Sequence, residues 1–502
     1  MTPAQIPYLL GKITNAITFK KIVVAIIFLL FLISSTFQLG QVPGLLGDEG
    51  SEGQNIIELQ NHKKPPLMGE RSYIGAWVDY ARMPLVYTFG YSAFSLRLLT
   101  LIASILFFWL SYFVLKRLFG EISGLLGLVA VSFSPIYFTQ QRLSWAISLL
   151  PLFAVLTIYL YKKDRKWSPL LVGIAAGVGA NTHILFLATI AGLAVAVIPF
   201  IVSALIKNFS VHYLSKLATS ILLASIGFWA AFGMQYANLV LYKNDQGNIE
   251  KNARNFSARL SDLPILAPKF ISGSIYITSY TAQPFSPNFD VTTTSILIPI
   301  IISGILLSKK RWLILAWILG LAIHIVVLTY MIEYYAIRYF IITSLFFWTL
   351  SGIALGLHFD RYKMNQAGYI FAIALALSLS IFNFKNIIFE FNVTGGSTDN
   401  FSISNSRYDS ASAFVSINPL LACIADKSDV FSNNIHIRNR LIFLANGNKN
   451  ISIATQKKDV RWLVKYRMPD DKPRQADYCP NLSHFSVEPV YDSRNVEWPD
   501  NK

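Results

Sequence analysis

Charged residues are scarce in this sequence. Asp, Glu, Lys and Arg make up 14% of its 502 residues, where a soluble globular protein carries about 25%. A single soluble core of this length needs more polar surface than that. Internal repeats and low-complexity tracts are missing too, and 36 Phe, 24 Tyr and 10 Trp exclude a disordered or fibrous chain. What is there is apolar sequence: 54% of the residues are hydrophobic and the mean hydropathy is +0.47. It comes in runs of about 20 residues, the length that crosses a bilayer. The chain therefore reads as an all-α polytopic membrane bundle. Its net charge of +16 points first to nucleic acid, but the charges sit between the apolar runs. The positive-inside rule accounts for them, and no nucleic-acid partner is expected.

Eleven spans are expected, at residues 19–39, 95–115, 122–139, 144–161, 168–182, 184–206, 217–240, 292–308, 312–331, 339–358 and 367–384. The first follows Lys20-Lys21 closely enough to resemble a signal peptide. It is too long for an h-region and lacks a small-residue cleavage site, so it reads as an anchor. Leu170 to Phe200 is too long for one span, and Asn181-Thr182-His183 interrupts it as a tight turn at one membrane face.

Charge sets the expected orientation. Loops on the N-terminal side carry sixteen Lys and Arg, from Lys12 to Lys363, against Glu121, Asp164 and Asp360 alone. The first loop on the other side, 40–94, holds four basic and six acidic residues. The N-terminus is thus expected in the cytoplasm, in a cell or inner membrane, and the C-terminal segment outside. Two domains follow: a bundle over 1–384 with long outer loops at 40–94 and 242–291, and a soluble domain over 385–502. The latter is polar but contains strand-like runs at Arg440 to Leu444, Ile451 to Ala454 and Arg461 to Lys465. It is large enough for a small α/β or α+β domain, entered through a Gly-, Ser- and Asn-rich linker at 392–410. Both cysteines, Cys423 and Cys479, fall in it. In an oxidising compartment they are expected to pair.

The stretch with the most chemistry follows the first span: Gly47-Asp48-Glu49-Gly50-Ser51-Glu52-Gly53-Gln54-Asn55. Asp and Glu contribute little to topology, so an acidic pair at a membrane exit has another cause. One is a solvated loop start or a helix N-terminal turn, where carboxylates are favourable. The other is a general base or a divalent-metal ligand at the membrane surface.

An acidic pair just after the first span, followed by a long amphipathic outer loop, resembles the GT-C glycosyltransferases. More narrowly, it is similar to the superfamily of protein O-mannosyltransferases and lipid A aminoarabinose transferases, glycosyltransferase family 39. Tyr80-Ala81-Arg82-Met83-Pro84-Leu85, then Phe89-Gly90-Tyr91-Ser92 and Leu96-Arg97-Leu98, match one family segment. Gly120, Ser134-Pro135 and Arg142 match the third-span region, Gly173 to His183 the fifth span, and Arg338-Tyr339 the opening of a late one. The resemblance covers roughly residues 20–360, and the order of the motifs carries it.

It implies a transferase that uses a polyprenyl-phosphate-linked sugar donor on the outer face and passes the sugar to an envelope acceptor: protein, lipid or polysaccharide. Such a donor needs cations at a membrane-level groove. Arg82, Arg97, Arg142, His183, Arg254, Arg259, Lys269, Arg338 and Tyr339 are the expected substrate-binding residues. For Arg97 and Arg338 the readings are phosphate binding, pairing with Asp48 or Glu49, or snorkelling to the interface. His183 is either a phosphate contact or a core histidine.

Asp48 and Glu49 are the expected catalytic pair, with Asp48 as base. One departure stands out: several members carry a second acid just after the arginine that follows the third span, and Arg142-Leu143-Ser144-Trp145-Ala146-Ile147-Ser148 has none. Metal dependence is left open, with Asp48 as the ligand a divalent Mg or Mn ion would use. The 242–291 loop reads as a lid over the lipid phosphate, or else as surface helices packed on the bundle.

A transporter or flippase of lipid-linked saccharide is the alternative, and an outer scaffold a third. Against transport, the spans hold few charges and show no paired inverted halves. A scaffold leaves Asp48-Glu49 without a role. The topology has a direct test: a reporter fused after Lys363 should read cytoplasmic and one after Lys502 extracytoplasmic. A cytoplasmic C-terminus would show the span count to be off by one.

Overall fold

A computed structural model describes residues 5–61, 69, 73–161, 166–207, 209–241, 256–278, 287–332, 337–394, 417–447, 452–454, 456–466, 479 and 485–490. Along the bundle run α1 (Gln5–Thr36), α2 (Gly47–Gln60), α3 (Trp77–Phe89), α4 (Ala93–Phe119), α5 (Glu121–Ser132), α6 (Pro135–Gln140), α7 (Leu150–Tyr161) and α8 (Ser168–Thr182). Then come α9 (Phe186–Lys207), α10 (Val211–Leu241), α11 (Phe256–Ser272), α12 (Ser274–Thr278), α13 (Pro287–Leu307), α14 (Arg311–Met331), α15 (Ile341–Arg361) and α16 (Asn365–Asn383). The chain is a multi-pass membrane protein. Eight helical stretches among the described residues are long and apolar enough to cross a bilayer. The three other expected spans coincide with shorter apolar helices at Glu121–Ser132, Ala146–Tyr161 and Ser168–Thr182.

The long helices are apolar all round, as helices between protein and lipid must be. On α1, Val23, Ile27 and Phe31 recur every four residues and are buried, while Ile22, Leu29 and Ile33 are exposed. Small residues bring helices together where no hydrophobic effect drives them. At the crossing of α9 and α14, a Cβ on Gly192 would meet the Gly320 carbonyl oxygen at 2.5 Å, and one on Gly320 the Gly192 oxygen at the same distance.

Three expectations are corrected. The span expected at 122–139 breaks after Ser132, because Ser134 caps a new helix by accepting from the Tyr137 N–H and Pro135 takes its first turn. The last apolar helix does not stop at 384. It continues through a π-helical turn, Phe384–Phe389, into α17 (Glu390–Thr394). The run Arg440 to Leu444 is helical, since a short apolar run does not by itself distinguish strand from helix. The expected linker lies almost wholly outside the described residues.

The C-terminal part contains α18 (Asn418–Ile424), β1 (Val430–Ser432), α19 (Ile435–Gly447), β2 (Trp462–Tyr466) and β3 (Phe485–Pro489). The strands form one sheet in the order β1-β2-β3, with β1 parallel to β2 and β2 antiparallel to β3. Phe431 pairs with Leu463 and Val464 with Val487. The part is α+β in character and does not stand apart from the bundle. One apolar cluster joins Leu45, Ile56, Val86 and Leu96 at one end of the bundle to Leu441, Phe443, Val464 and Cys479.

Cys423 and Cys479 are joined in a disulfide across a sequence separation of 56. Closing a loop of that length stabilises the C-terminal part by about 4 kcal/mol on the chain-entropy account. Both thiols should therefore resist alkylation in freshly isolated membranes until a reductant is added. Full labelling without reductant would show the pair to be open.

Candidate active site

The site is built around α2, which is a poor helix by composition. Gly47, Gly50 and Gly53 each weaken it by about 1 kcal/mol relative to alanine. Its tertiary contacts hold it. Glu49 and Glu52, three residues apart, point to one side and are buried, at 0% and 3% exposure.

Glu49 accepts from Arg97 Nε at 2.8 Å and Nη2 at 2.5 Å, from the Ser144 N–H at 2.8 Å, and from the Leu46 N–H at 3.0 Å. The last bond runs from the N-cap amide of α2 back to the third helical residue and satisfies that N–H. Both oxygens are thus committed to the fold. Of the readings open to this pair, Glu49 takes the helix-turn one, with a buried arginine added.

Arg97 and Arg142 are both fully buried, and of the readings open to Arg97 the structure shows the pairing with Glu49. Arg97 also donates to the carbonyls of Leu39, Pro43 and Gly44 at 2.7–2.9 Å. Arg142 donates to Ser34, Phe37 and Val42 carbonyls at 3.1, 2.6 and 3.0 Å and lies over the Phe138 ring. Its guanidinium caps the C-terminal end of α1, whose last carbonyls have no intrahelical partner. Neither faces a groove as a phosphate-binding cation would.

Glu52 was missed from the sequence. It accepts from Ser144 Oγ at 2.8 Å and the Ala146 N–H at 3.3 Å, and pairs with Arg82 Nη1 at 3.0 Å. Asp79 stands 3.6 Å from the same nitrogen and accepts from Asn55 at 2.6 Å. Arg82 is therefore a buried partner of two carboxylates through Nη1. A carboxylate does lie beside the segment after Arg142, and it comes from α2. The signal was the Glu49-x-x-Glu52 spacing, which puts two acids on one helix face. By bonding to residues on both sides of Trp145, Glu52 holds that ring in place.

Asp48 is different. Its side chain is 25% exposed and pairs with Arg338 Nη1 at 3.2 Å. Arg338, 17% exposed, lies 5.0 Å from the Trp145 ring centre and 5.4 Å from that of Tyr339. The rings of Tyr339 and Tyr73 flank His183 at 6.3 and 5.4 Å. His183 itself is held by hydrogen bonds between the 73–75 and 181–184 segments, Gly75 N to Asn181 O at 2.8 Å and Ile184 N to Tyr73 O at 3.2 Å. Burial, with the Arg338 cation adding to it, pushes the His183 imidazole down to about 3, so the ring is neutral at physiological pH. Its Nδ1 accepts from the Leu185 N–H at 3.2 Å, which puts the ring proton on Nε2. His183 therefore offers a neutral N–H donor and no charge.

The remaining candidates lie elsewhere. Arg259 is buried in α11 and donates to the Thr329 carbonyl at the end of α14 at 3.0 Å. Lys269 is exposed in the last turn of α11. Arg254 is outside the described residues. The described part of the 242–291 loop is helical and packed on the bundle: Phe270 stacks on Phe340 at 4.3 Å and Trp348 donates to the Ile271 carbonyl. In the described part this agrees with the reading of surface helices packed on the bundle; residues 242–255 and 279–286 lie outside the described residues. The acidic residues of the site do not fit a divalent ion. Asp48 faces a guanidinium, Glu49 and Glu52 are committed, and among the described residues no three His, Cys, Asp or Glu side chains converge.

Comparison with known proteins bears on the fold. A sequence model described as dolichyl-phosphate-mannose-protein mannosyltransferase matches residues 76–230. A crystal structure of ArnT from Cupriavidus metallidurans bound to undecaprenyl phosphate superposes with a TM-score of 0.53 at 10% identity, over 96% of this chain and 99% of that one. The apo structure of the same protein gives 0.52 at 12% identity, over 95% and 98%. The chain has a GT-C, glycosyltransferase family 39-like fold. No curated protein sequence matches it. In GT-C terms, the acidic pair after the first span is divided between two duties: Glu49 ties α2 to the bundle and Asp48 faces Arg338.

The division is testable by stability. Arg97→Ala leaves a buried, uncompensated Glu49 and should cost about 3–5 kcal/mol. Arg338→Ala removes a partly exposed pair and should cost no more than about 1 kcal/mol. Thermal unfolding in detergent reads both; equal losses would contradict the assignment.

Proposed function

We propose that the protein is a membrane glycosyltransferase that moves a sugar from a polyprenyl-phosphate-linked donor to an envelope acceptor at the outer membrane face. The observation that carries this reading is the Asp48–Arg338 pair, a partly exposed carboxylate and guanidinium 3.2 Å apart at the outer end of a GT-C bundle. The ArnT structure holds undecaprenyl phosphate, and a phosphate on an isoprenoid chain suits what surrounds Arg338 here. From Arg338 the same helical face runs on through Ile342, Leu345 and Thr349. These residues, with Ala154, Gly192 and Leu193, line an apolar cavity of about 150 Å³. Arg338 itself does not line that cavity, but a charged group and an apolar space on successive turns of one helix suit an anionic head and a hydrocarbon tail. The N-terminus is then cytoplasmic and the disulfide-bonded domain extracytoplasmic, where oxidised cysteines persist.

The chemistry follows from the groups present. The acceptor's hydroxyl oxygen attacks the anomeric carbon while an Asp48 oxygen takes its proton. The bond from that carbon to the phosphate oxygen breaks, and its electron pair leaves with the phosphate. The lipid phosphate departs already ionised, so no strong acid is needed, and Arg338 offsets the charge it gains. The His183 Nε2–H and the Tyr339 hydroxyl are neutral donors beside the same guanidinium. One direct displacement inverts the anomeric centre.

Asp48→Asn keeps the size and hydrogen bonding of the side chain and removes the base. Transfer of radiolabelled sugar from polyprenyl-phosphate sugars to membrane extract should fall by about 10² to 10⁴, with the protein folded and inserted. Near wild-type transfer would remove Asp48 from the mechanism. Unimpaired movement of lipid-linked saccharide without any transfer would favour the flippase.

A further inference from the structure

Helix α2 has a second side, and the outer domain covers it. Gly50 and Gly53 face α19 so closely that a Cβ on Gly50 would lie 2.7 Å from Arg440 Cγ and 2.8 Å from the Arg440 amide nitrogen. One on Gly53 would lie 2.5 Å from the Phe443 ring. Arg440 is fully buried, and its Nη1 donates to the Leu45 carbonyl at 3.2 Å. Asn439 Nδ2 donates to Ser51 Oγ at 2.9 Å. The two hydrogen bonds bracket Asp48, one three residues before it and one three residues after. Phe443 also meets the Tyr91 ring at 5.5 Å, and Ile56 of α2 shares an apolar cluster with Leu441 and Phe443.

A helix with three glycines in its first seven residues has little stability of its own. The bundle holds the side of α2 that carries Glu49 and Glu52. Those contacts hold the Pro43 and Gly44 carbonyls and the Leu46 amide at the entry to α2, but not the Leu45 carbonyl. Arg440 grips that carbonyl from the opposite side.

Resting on the transferase reading, we propose that Arg440 is a positioning residue and that the outer domain forms part of the active-site frame, setting where Asp48 stands relative to Arg338. Arg440 touches neither substrate nor reacting atoms. Its effect reaches the chemistry through the backbone at Leu45.

Two variants test this from opposite sides. Arg440→Lys keeps the charge but loses the guanidinium fork, and Gly50→Ala leaves Arg440 intact while pushing α19 outward. In each, turnover per folded protein should fall about ten- to hundredfold, as for a displacement of about 1 Å at a reacting group, with the donor KM unchanged. In Arg440→Ala, bridging Ser51→Cys to Asn439→Cys with a short thiol-reactive linker should restore turnover. A role in stability alone would lower the amount of folded protein and its melting temperature but leave turnover per folded molecule intact. That result, turnover within twofold of wild type for both variants, overturns the proposal.

A further arm needs no activity. With Cys423 and Cys479 in a disulfide, Asp48→Cys supplies a thiol that reports on α2. It should alkylate about tenfold faster when Arg440→Lys is added, and an unchanged rate overturns the positioning role whether or not the wild type transfers sugar. Absence of transfer by the wild type alone would count against the transferase reading, which the labelling arm keeps separate.

Discussion

The structure depends on one buried ion pair, Glu49 with Arg97. Both side chains are fully buried, and together they gather α2, α4, the 39–44 turn and the Ser144 backbone at one point. Breaking such a pair is far more costly than replacing it with apolar groups, because one charge is left without a partner in low dielectric. The pair therefore acts as a fixed pin. The carboxylate next to it, Asp48, is turned away from the pin, is partly exposed and has a single described ion-pair partner in Arg338. A rigid neighbour makes the placement of Asp48 reproducible without committing its oxygens to the fold.

The arginines show how a membrane protein manages irregular backbone at the bilayer surface. Between the end of α1 and the start of α2 the chain makes no regular structure that could satisfy its carbonyls. Unpaired groups there are costly wherever water is scarce. Arg97 and Arg142 between them take the carbonyls of Ser34, Phe37, Leu39, Val42, Pro43 and Gly44. The rigid planar fork suits this task, and lysine would not reproduce it. Arg338 uses the same planarity differently, lying by the faces of Trp145 and Tyr339 with one edge toward Asp48.

Much of the fold was legible because hydropathy acts over whole segments. The long helices follow the expected spans, and so does the turn at Asn181 to His183, where His183 is extended and ends α8. The site was legible in residue type but less so in role. Arg97, Arg142 and Arg338 all sit at the ends of apolar runs, and nothing in those runs says whether a guanidinium faces a carbonyl, a carboxylate or open space. The same limit hid Glu52: its function depends on Ser144 and Ala146, more than 90 residues away. Arg440 to Leu444 was read as a strand because five residues are too few to set a period. Only in the fold do Ile437, Leu441 and Phe443 turn one buried side toward the bundle.

The distribution of charge and glycine along α2 then has a physical logic. A strong helix here would fix its own geometry and leave outer elements nothing to adjust. A helix weakened by Gly47, Gly50 and Gly53 takes its position from what packs on it, the bundle on one side and α19 on the other. The same glycines that lower helix propensity also allow α19 to approach the backbone, so the weakness and its compensation have one cause. Asp48 lies where the two supports meet. Its exposure follows from that position: the buried sides of the helix are taken up by Glu49 and Glu52 toward the bundle and by Gly50 and Gly53 toward the outer domain. What remains is the edge that faces Arg338.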